Sequence, residues 1–285
     1  MAAMGFRRAP VNLRDLFHSL TFVQPRYFLD YYFYLDLMKR YVVTPFLYWT
    51  RLERATPWHA LPSVFGSPEE ALQKYHAFRR AGWKELLMIG QIIKALSPRS
   101  VVDAGCGIGW ALRALKEEGY LPENACGIDF APGRIQDAQV LNQDLDLRFI
   151  VGDLRESLPV HAELIYAWSV LGAHRDKEDK RKVLLNLLKA SDTLVLLEAQ
   201  NYYFRVWWPA DYREIIAGCG GVTILRRRLP YRWITNPRLR GPQYPFYELM
   251  LCAKKDGGRE SDLKALSQEI LALLQREPDT LGEEK

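Results

Sequence analysis

The residues of this sequence best suited to chemistry are one acid and three glycines that follow an apolar run. Asp103 lies in the segment VVDAGCGIGW, in which Gly105, Gly107 and Gly109 precede a helical stretch. Glycine is needed where the backbone turns tightly and approaches a ligand without a Cβ atom in the way, and the N–H groups at the start of the helix are free to bind that ligand. The pattern therefore predicts a nucleotide-type binding turn.

Two further acids lie at the ends of the next two predicted strands. Asp129 lies 20 residues beyond Gly109, where a carboxylate can accept hydrogen bonds from both hydroxyls of a ribose. Asp153 follows the third predicted strand, where it can accept a hydrogen bond from an adenine amino group. Ligands of open α/β sheets bind outside the carboxyl ends of the strands, so we expect the three acids to converge on one crevice.

The spacing of the glycines distinguishes between nucleotide ligands. A dinucleotide-binding GxGxxG turn would need a third glycine at the position of Trp110, whereas this sequence reads GxGxG. Together with Asp153, this spacing disfavours a dehydrogenase. The alternative, that the glycines are only turns and the aspartates only caps or surface charges, applies more readily to each residue alone than to the ordered set.

Over about Leu96 to Lys254 the sequence resembles the class I S-adenosylmethionine-dependent methyltransferases. The resemblance implies a Rossmann-like domain with S-adenosyl-L-methionine as its cofactor. The methionine part would lie along the glycine-rich turn, the ribose at Asp129 and the adenine near Phe130 and Asp153. The cofactor-binding residues implied in this way are Asp103, Ala104, Gly105, Gly107, Gly109, Asp129, Phe130, Asp153, Leu154 and Trp168.

A general base is needed only if the acceptor atom is protonated at neutral pH, because in-line methyl transfer depends mainly on positioning. His174, after the fourth strand, is the predicted catalytic residue, and a structural or exposed histidine is the alternative. The sequence departs from the family pattern here, because Glu163 replaces the usual Asp and His174 lies one residue late. Glu198, Tyr202 and Tyr203 are further candidates for the base.

The acceptor side is predicted from aromatic residues. No Asn-Pro-Pro-Tyr or Asp-Pro-Pro-Tyr run follows the fourth strand, which disfavours methylation of base amino groups. Ten aromatic residues between Tyr27 and Trp49 predict a segment that caps the active site, with packing of an N-terminal helical layer as the open alternative. The predicted acceptor-binding residues are Tyr202, Tyr203, Trp207 and Trp208. We therefore expect a small-molecule acceptor methylated on oxygen or nitrogen.

The stretch from Arg226 to Arg240 is rich in arginine, and the first acidic residue after it is Glu248. Arginine side chains suit phosphate or carboxylate, so the stretch is either a solvated face or a surface for an anionic acceptor, nucleic acid or membrane. A methyltransferase acting on RNA or protein is therefore the second hypothesis. A non-catalytic protein that binds S-adenosylmethionine is the third.

Composition excludes several classes of protein. The 285 residues are 48% hydrophobic and 26% charged, which is ordinary for a globular chain, and the net charge of +5 does not force a nucleic-acid partner. The four cysteines form no CxxC pair and no zinc-like spacing, so we predict no metal site and a cytoplasmic setting. Charges interrupt the most apolar early stretch, so we predict no transmembrane segment.

The elements that must position these residues alternate between short apolar runs and helical stretches. Strands are predicted at Ser100 to Ala104, Cys126 to Phe130, Leu147 to Val151, Leu164 to Ala167 and Thr193 to Glu198, and helices near Trp110 to Glu118, Pro132 to Leu141, Lys177 to Lys189 and Ala210 to Ala217. Ser67, Pro68 and Glu70 predict the start of an earlier helix with a capping box, which Gly82 interrupts.

This pattern predicts an α/β fold: a doubly wound, mostly parallel seven-stranded sheet with an antiparallel C-terminal hairpin over Val222 to Lys254 and an N-terminal helical, aromatic-rich cap. The predicted domains are the cap (1–96), the S-adenosylmethionine-binding methyltransferase domain (97–256) and a tail (257–285). The tail is expected to form an amphipathic helix with Leu263, Leu266, Ile270 and Leu273 on one side, followed by disorder.

Overall fold

A computed structural model describes residues 65–171, 177–200, 212–230, 246–255 and 260–275, all within one compact unit, Trp58–Lys285. The elements in chain order are α1 (Pro68–Leu96), β1 (Ser100–Ala104), α2 (Trp110–Glu117), β2 (Asn124–Asp129), α3 (Pro132–Leu141), β3 (Arg148–Val151), β4 (Ala162–Trp168), α4 (Lys177–Ala190), β5 (Ser191–Gln200), α5 (Tyr212–Gly218), β6 (Gly221–Arg228), β7 (Phe246–Lys254) and α6 (Glu260–Gln275). The predicted aromatic cap segment lies outside the described residues.

The strands form one seven-stranded sheet in the order β3-β2-β1-β4-β5-β7-β6. Strands β1 to β5 pair in parallel, and β7 runs antiparallel to both β5 and β6. The predicted mostly parallel sheet with an antiparallel C-terminal hairpin is confirmed. The strand order reverses between β1 and β4, and a crevice for ligands forms at such a reversal, beyond the carboxyl ends of the strands.

Both faces of the sheet are covered, because successive residues of the central strands point to opposite sides. Leu164 and Tyr166 of β4 pack with α1 and α6, whereas Ile165 and Ala167 pack with α4 and α5. This two-sided burial explains why the central strands read as continuous apolar runs. It also holds the carboxyl end of β1, with Asp103, at the centre of the sheet.

Helix α1 begins as its sequence predicts. The Ser67 hydroxyl accepts a hydrogen bond from the Glu70 N–H at 3.3 Å, but the Glu70 carboxylate accepts from the Gly66 N–H, at 2.9 Å, rather than from Ser67. The predicted break at Gly82 is present, because this residue has φ −129° and ψ 19° inside the helix. A Cβ atom there would lie 2.7 Å from Trp168 and 2.9 Å from Trp110, so glycine lets the helix pass close to both rings.

Helix α1 is joined to α2 by polar side chains as well as by the core. The Tyr75 hydroxyl donates a hydrogen bond to Glu117, and Arg79 forms ion pairs with Glu117 and Glu118. Arg113, with 9% of its side chain exposed, also pairs with Glu117, at 2.9 Å. The domain boundary at 96/97 stays a prediction, and the described helix packs in the same core as the sheet.

The tail helix α6 packs on the face of the sheet that α1 also covers. Leu263, Leu266 and Ile270 are buried as predicted. Leu274, rather than the predicted Leu273, completes the buried stripe, since Leu273 is only half-buried. No helix in the described part of the chain is long and apolar enough to cross a membrane.

Candidate cofactor site

The glycine-rich turn joins β1 to α2 in a conformation that favours glycine at three positions. Gly105, Gly107 and Gly109 have φ values of +81°, +55° and +71°, all in the region that side chains with a Cβ atom rarely adopt. A Cβ atom at Gly105 would lie 2.5 Å from Val170 Cγ2, and one at Gly109 would lie 2.7 Å from Phe149. The turn is therefore fixed by backbone conformation and by close packing around it.

Asp129, at the end of β2, binds this turn directly. Its Oδ2 accepts a hydrogen bond from the Gly107 N–H at 3.0 Å, and its Oδ1 accepts from the Ala131 N–H at 3.0 Å. Each carboxylate oxygen has a second lone pair, so the side chain can still accept bonds from two hydroxyl groups. Asp129 thus orders the turn and keeps the acceptor capacity that a ribose requires.

Asp103 lies at the base of a cavity of about 250 Å³ at the carboxyl end of β1. The residues that line this cavity are Asp103, Gly105, Cys106, Trp110, Ala111, Trp168 and Ser169. Burial, together with the charge of Asp129, raises the pKa of Asp103 to about 7, whereas the nearby Tyr166 hydroxyl acts in the opposite direction. A carboxyl group in this state is poised to ionise when a cation binds beside it.

Asp153 lies after β3 and is bound to Arg155. Its Oδ2 is 2.6 Å from Arg155 Nη2, and its Oδ1 accepts a hydrogen bond from the Arg155 backbone N–H at 2.9 Å. Arg155 also reaches Asp179 of α4 at 3.5 Å. The adenine contacts assigned to Asp153, Leu154 and Phe130 stay predictions, and Asp153 would share its carboxylate between Arg155 and the ligand.

Two tryptophans form an aromatic wall on one side of the cavity. The rings of Trp110 and Trp168 have centroids 5.3 Å apart and planes at 58°, and Phe78 of α1 stacks near Trp110 at 6.3 Å. From the sequence, Trp110 argues only against a dinucleotide, and no pattern predicts a place for Ser169 in the site. The position of Trp110, directly after Gly109, was the available signal for its place in the cavity.

Several predicted site residues lie outside the described part of the chain. These are His174, Tyr202, Tyr203, Trp207 and Trp208, together with Tyr27 to Trp49 and most of the arginine-rich stretch. Glu163 is described, and it pairs with Arg99 at the amino ends of the strands, away from the cavity. Glu198 is completely buried and accepts hydrogen bonds from the Val170 and Leu171 N–H groups, so its proposed use as a base does not fit this position.

The described residues contain no cluster of three or more His, Cys, Asp or Glu side chains that could hold a metal ion. Arg226, within the predicted arginine-rich surface, is paired with Glu248 at 2.8 Å. Arg227 and Arg228 at the end of β6 are exposed. The part of this stretch that is described therefore presents two exposed arginines.

Comparison with known protein families gives a match over part of the chain. Residues 101–191, from β1 into the start of β5, match a family model described as a methyltransferase domain. This match to a methyltransferase domain, on a seven-stranded sheet of the order given above, agrees with the class I S-adenosylmethionine-dependent methyltransferase fold that the sequence predicts. S-adenosylmethionine is the cofactor of that class, and the described site fits it, because Asp129 retains free acceptor positions and a buried acid faces the cavity.

Similar solved structures include two methyltransferases. One is a TehB-like S-adenosylmethionine-dependent methyltransferase from Corynebacterium glutamicum, with 23% identity, a TM-score of 0.48 and coverage of 66% of this chain and 98% of that one. Another is magnesium protoporphyrin IX methyltransferase from Synechocystis PCC 6803 with its cofactor bound, with 17% identity, a TM-score of 0.45 and coverage of 75% and 95%. No curated protein matches the chain.

The pKa of Asp103 predicts a pH-dependent affinity for the cofactor. S-adenosylmethionine carries a sulfonium and an ammonium, which favour the ionised carboxylate, so binding below about pH 7 requires Asp103 to lose a proton. We expect the affinity to rise between about pH 6 and pH 8 and to level off above that range. Calorimetry in two buffers of different ionisation enthalpy, at pH 6.5 and 8.5, measures the proton released.

The Asp103→Asn variant is the control, because the amino group of the ligand titrates alike in both proteins and the difference reports Asp103. If Asp103→Asn leaves the pH profile of cofactor binding unchanged, Asp103 is not the group that loses a proton on binding.

The same pKa also affects stability. The folded protein binds more protons than the unfolded chain between about pH 4 and pH 7, so the free energy of unfolding falls as pH rises through that window.

Proposed function

We propose that this protein transfers the methyl group of S-adenosylmethionine to an oxygen or nitrogen atom of an enclosed small-molecule acceptor. The observation that carries the proposal is the cavity beside the glycine-rich turn, which combines a buried acid, Asp103, with the aromatic wall of Trp110 and Trp168. An apolar wall with few polar groups is typical of small-molecule sites. The exposed side chains of Arg227 and Arg228 offer much less shape complementarity to a small acceptor than the cavity does.

The bound cofactor supplies an electrophilic methyl group on a sulfonium. The protein would contribute mainly position: the glycine-rich turn holds the methionine part, Asp129 holds the ribose, and Phe130, Asp153 and Leu154 surround the adenine. Trp110 and Trp168 exclude water from the side of the cavity that they line. Holding reactants in attack geometry supplies a large share of the rate, and a misplacement of about 1 Å can lower it about a hundredfold.

On the acceptor side the proposal extends to residues outside the described part of the chain. His174 would accept a proton where the acceptor atom carries one, and Tyr202, Tyr203, Trp207 and Trp208 would shape the acceptor pocket. The aromatic segment Tyr27 to Trp49 would form its cover. A cytoplasmic, reducing setting fits the four free cysteines, three of which are buried.

Calorimetry with S-adenosylmethionine, S-adenosylhomocysteine and NAD tests the cofactor first. We expect both sulfur ligands to bind and NAD not to bind, and binding of NAD alone would overturn the proposal. Transfer of a labelled methyl group to fractionated cell extract then tests the acceptor. Label in the small-molecule fraction supports the proposal, whereas label in RNA or protein, lost at moderate salt and in Arg227→Gln/Arg228→Gln, would favour the arginine-rich surface.

A further inference from the structure

Glu198 of β5 is completely buried, yet it is a carboxylate. Removing an ionised carboxylate from water is expensive unless hydrogen bonds and opposite charge compensate it. Its Oε1 accepts two hydrogen bonds, from the Val170 N–H at 2.8 Å and the Leu171 N–H at 2.9 Å. These two hydrogen bonds therefore bind Glu198 to the backbone of the segment that follows β4.

That segment, Ser169 to Leu171, is held over three successive residues by β5. The Ser169 N–H donates to the Leu197 carbonyl oxygen at 2.8 Å, and the next two N–H groups bind Glu198. Ser169 has a φ of +57°, a conformation that a residue with a side chain adopts only when its surroundings stabilise it. The bonds from Leu197 and Glu198 provide that stabilisation.

The held segment touches both parts of the candidate site. Ser169 itself lines the cavity, beside Trp168. Val170 fills the space that the missing side chain of Gly105 leaves, since a Cβ atom there would be 2.5 Å from Val170 Cγ2. Any displacement of the backbone at Val170 would therefore move atoms that pack directly against the glycine-rich turn.

A buried cation on the neighbouring helix balances the charge of Glu198. Lys180 of α4 is also completely buried, and its ammonium lies 6.0 Å from the centre of the Tyr212 ring. Burial lowers the pKa of Lys180 to about 8, and the charge of Glu198 opposes this effect. The ammonium of Lys180 and the two backbone N–H groups thus offset part of the cost of burying the Glu198 side chain.

We propose that Glu198 is a positioning residue, whose carboxylate fixes the Ser169 to Leu171 segment and so holds one wall of the cavity and the glycine-rich turn in register. It acts through the backbone of Val170 and Leu171, and it is not among the described residues that line the cavity. The proposal rests on the proposed function only in that its binding assay uses S-adenosylmethionine as the probe.

The test compares Glu198→Ala and Glu198→Gln with the full-length protein. Hydrogen exchange followed by mass spectrometry reports the Val170 and Leu171 amides, and calorimetry reports the dissociation constant of S-adenosylmethionine. In Glu198→Ala we expect both amides to exchange at least about tenfold faster and the dissociation constant to rise about tenfold, as for lost hydrogen bonds to a charged group. Glu198→Gln keeps an acceptor oxygen and should recover most of both effects.

Glu248→Gln is the matched control, because Glu248 lies directly opposite Glu198 on β7 but binds Arg226 instead of the segment. It should leave the two amides and the cofactor affinity near the wild-type values. If Glu198→Ala does not fold, Glu198→Asp replaces it, since a carboxylate withdrawn by one methylene should still speed exchange and weaken binding.

Unchanged exchange at Val170 and Leu171 in a folded Glu198→Ala or Glu198→Asp variant would overturn the proposal. Faster exchange spread evenly over β1 and β2 would also overturn it, because that pattern reports global destabilisation. Failure of the wild-type protein to bind S-adenosylmethionine would instead refute the proposed function, and the exchange arm would still decide whether Glu198 fixes the segment.

Discussion

Gly105→Ala is expected to abolish measurable cofactor binding and to lower the free energy of unfolding by about 2–5 kcal/mol. Two effects add at this position. The φ of +81° disfavours alanine by about 1–2 kcal/mol, and a Cβ atom 2.5 Å from Val170 Cγ2 would overpack a tight contact, which costs a further 1–3 kcal/mol, roughly. Glu198 holds the backbone N–H of Val170, so a shift of that backbone would break a buried hydrogen bond.

Gly119→Ala is the matched control for backbone strain. Gly119 has a φ of +74° at the end of α2, but nothing lies within 4 Å of a Cβ atom there. This variant should lose only about 1–2 kcal/mol and bind S-adenosylmethionine as the wild type does. Chemical denaturation and calorimetry measure the two quantities. Equal losses of stability in the two variants would show that the contact with Val170 does not matter.

The conformation of the glycine-rich turn could be predicted from the sequence because its requirements are local. A positive φ at three alternating positions favours glycine, and the apolar run before them favours a buried strand. Gly105, Gly107 and Gly109 therefore indicate the turn without information about distant contacts. The bounds of the five predicted strands differ from the observed ones by at most two residues, since edges depend on pairing partners such as Asn124 opposite Ser100. Both the glycine-rich turn and the buried strand before it can be recognised from a window of ten residues.

The role of Glu198 could not be predicted in the same way. Its partners lie 27 and 28 residues away in sequence, and they are backbone N–H groups, which no residue type reveals. From the sequence, a carboxylate at the end of a strand near the site suggests a general base. In the structure Glu198 is buried and binds backbone N–H groups instead. Gly82 was recognised as a break in α1, but the two tryptophans that require it come from distant elements.

Asp129→Ala is expected to weaken the binding of both S-adenosylmethionine and S-adenosylhomocysteine by about 1.5–3 kcal/mol, which is roughly ten- to 150-fold. The variant loses the acceptor for the ribose hydroxyls and also the bond that holds the Gly107 N–H. Both ligands carry the same ribose, so both should weaken to a similar extent, as calorimetry would show. Asp146→Ala removes an exposed acid of equal charge and should leave the affinity unchanged.

A 2′-deoxy analogue of S-adenosylhomocysteine separates the two effects of this substitution. The analogue lacks one hydroxyl, so it should bind the wild-type protein more weakly than the parent ligand does, while Asp129→Ala should bind the two nearly equally. A double-mutant cycle of this kind isolates the hydrogen bond from the loosening of the turn. If the hydroxyl still matters in folded Asp129→Ala, another residue holds the ribose; if both ligands weaken equally and the hydroxyl matters in neither protein, Asp129 acts only by ordering Gly107.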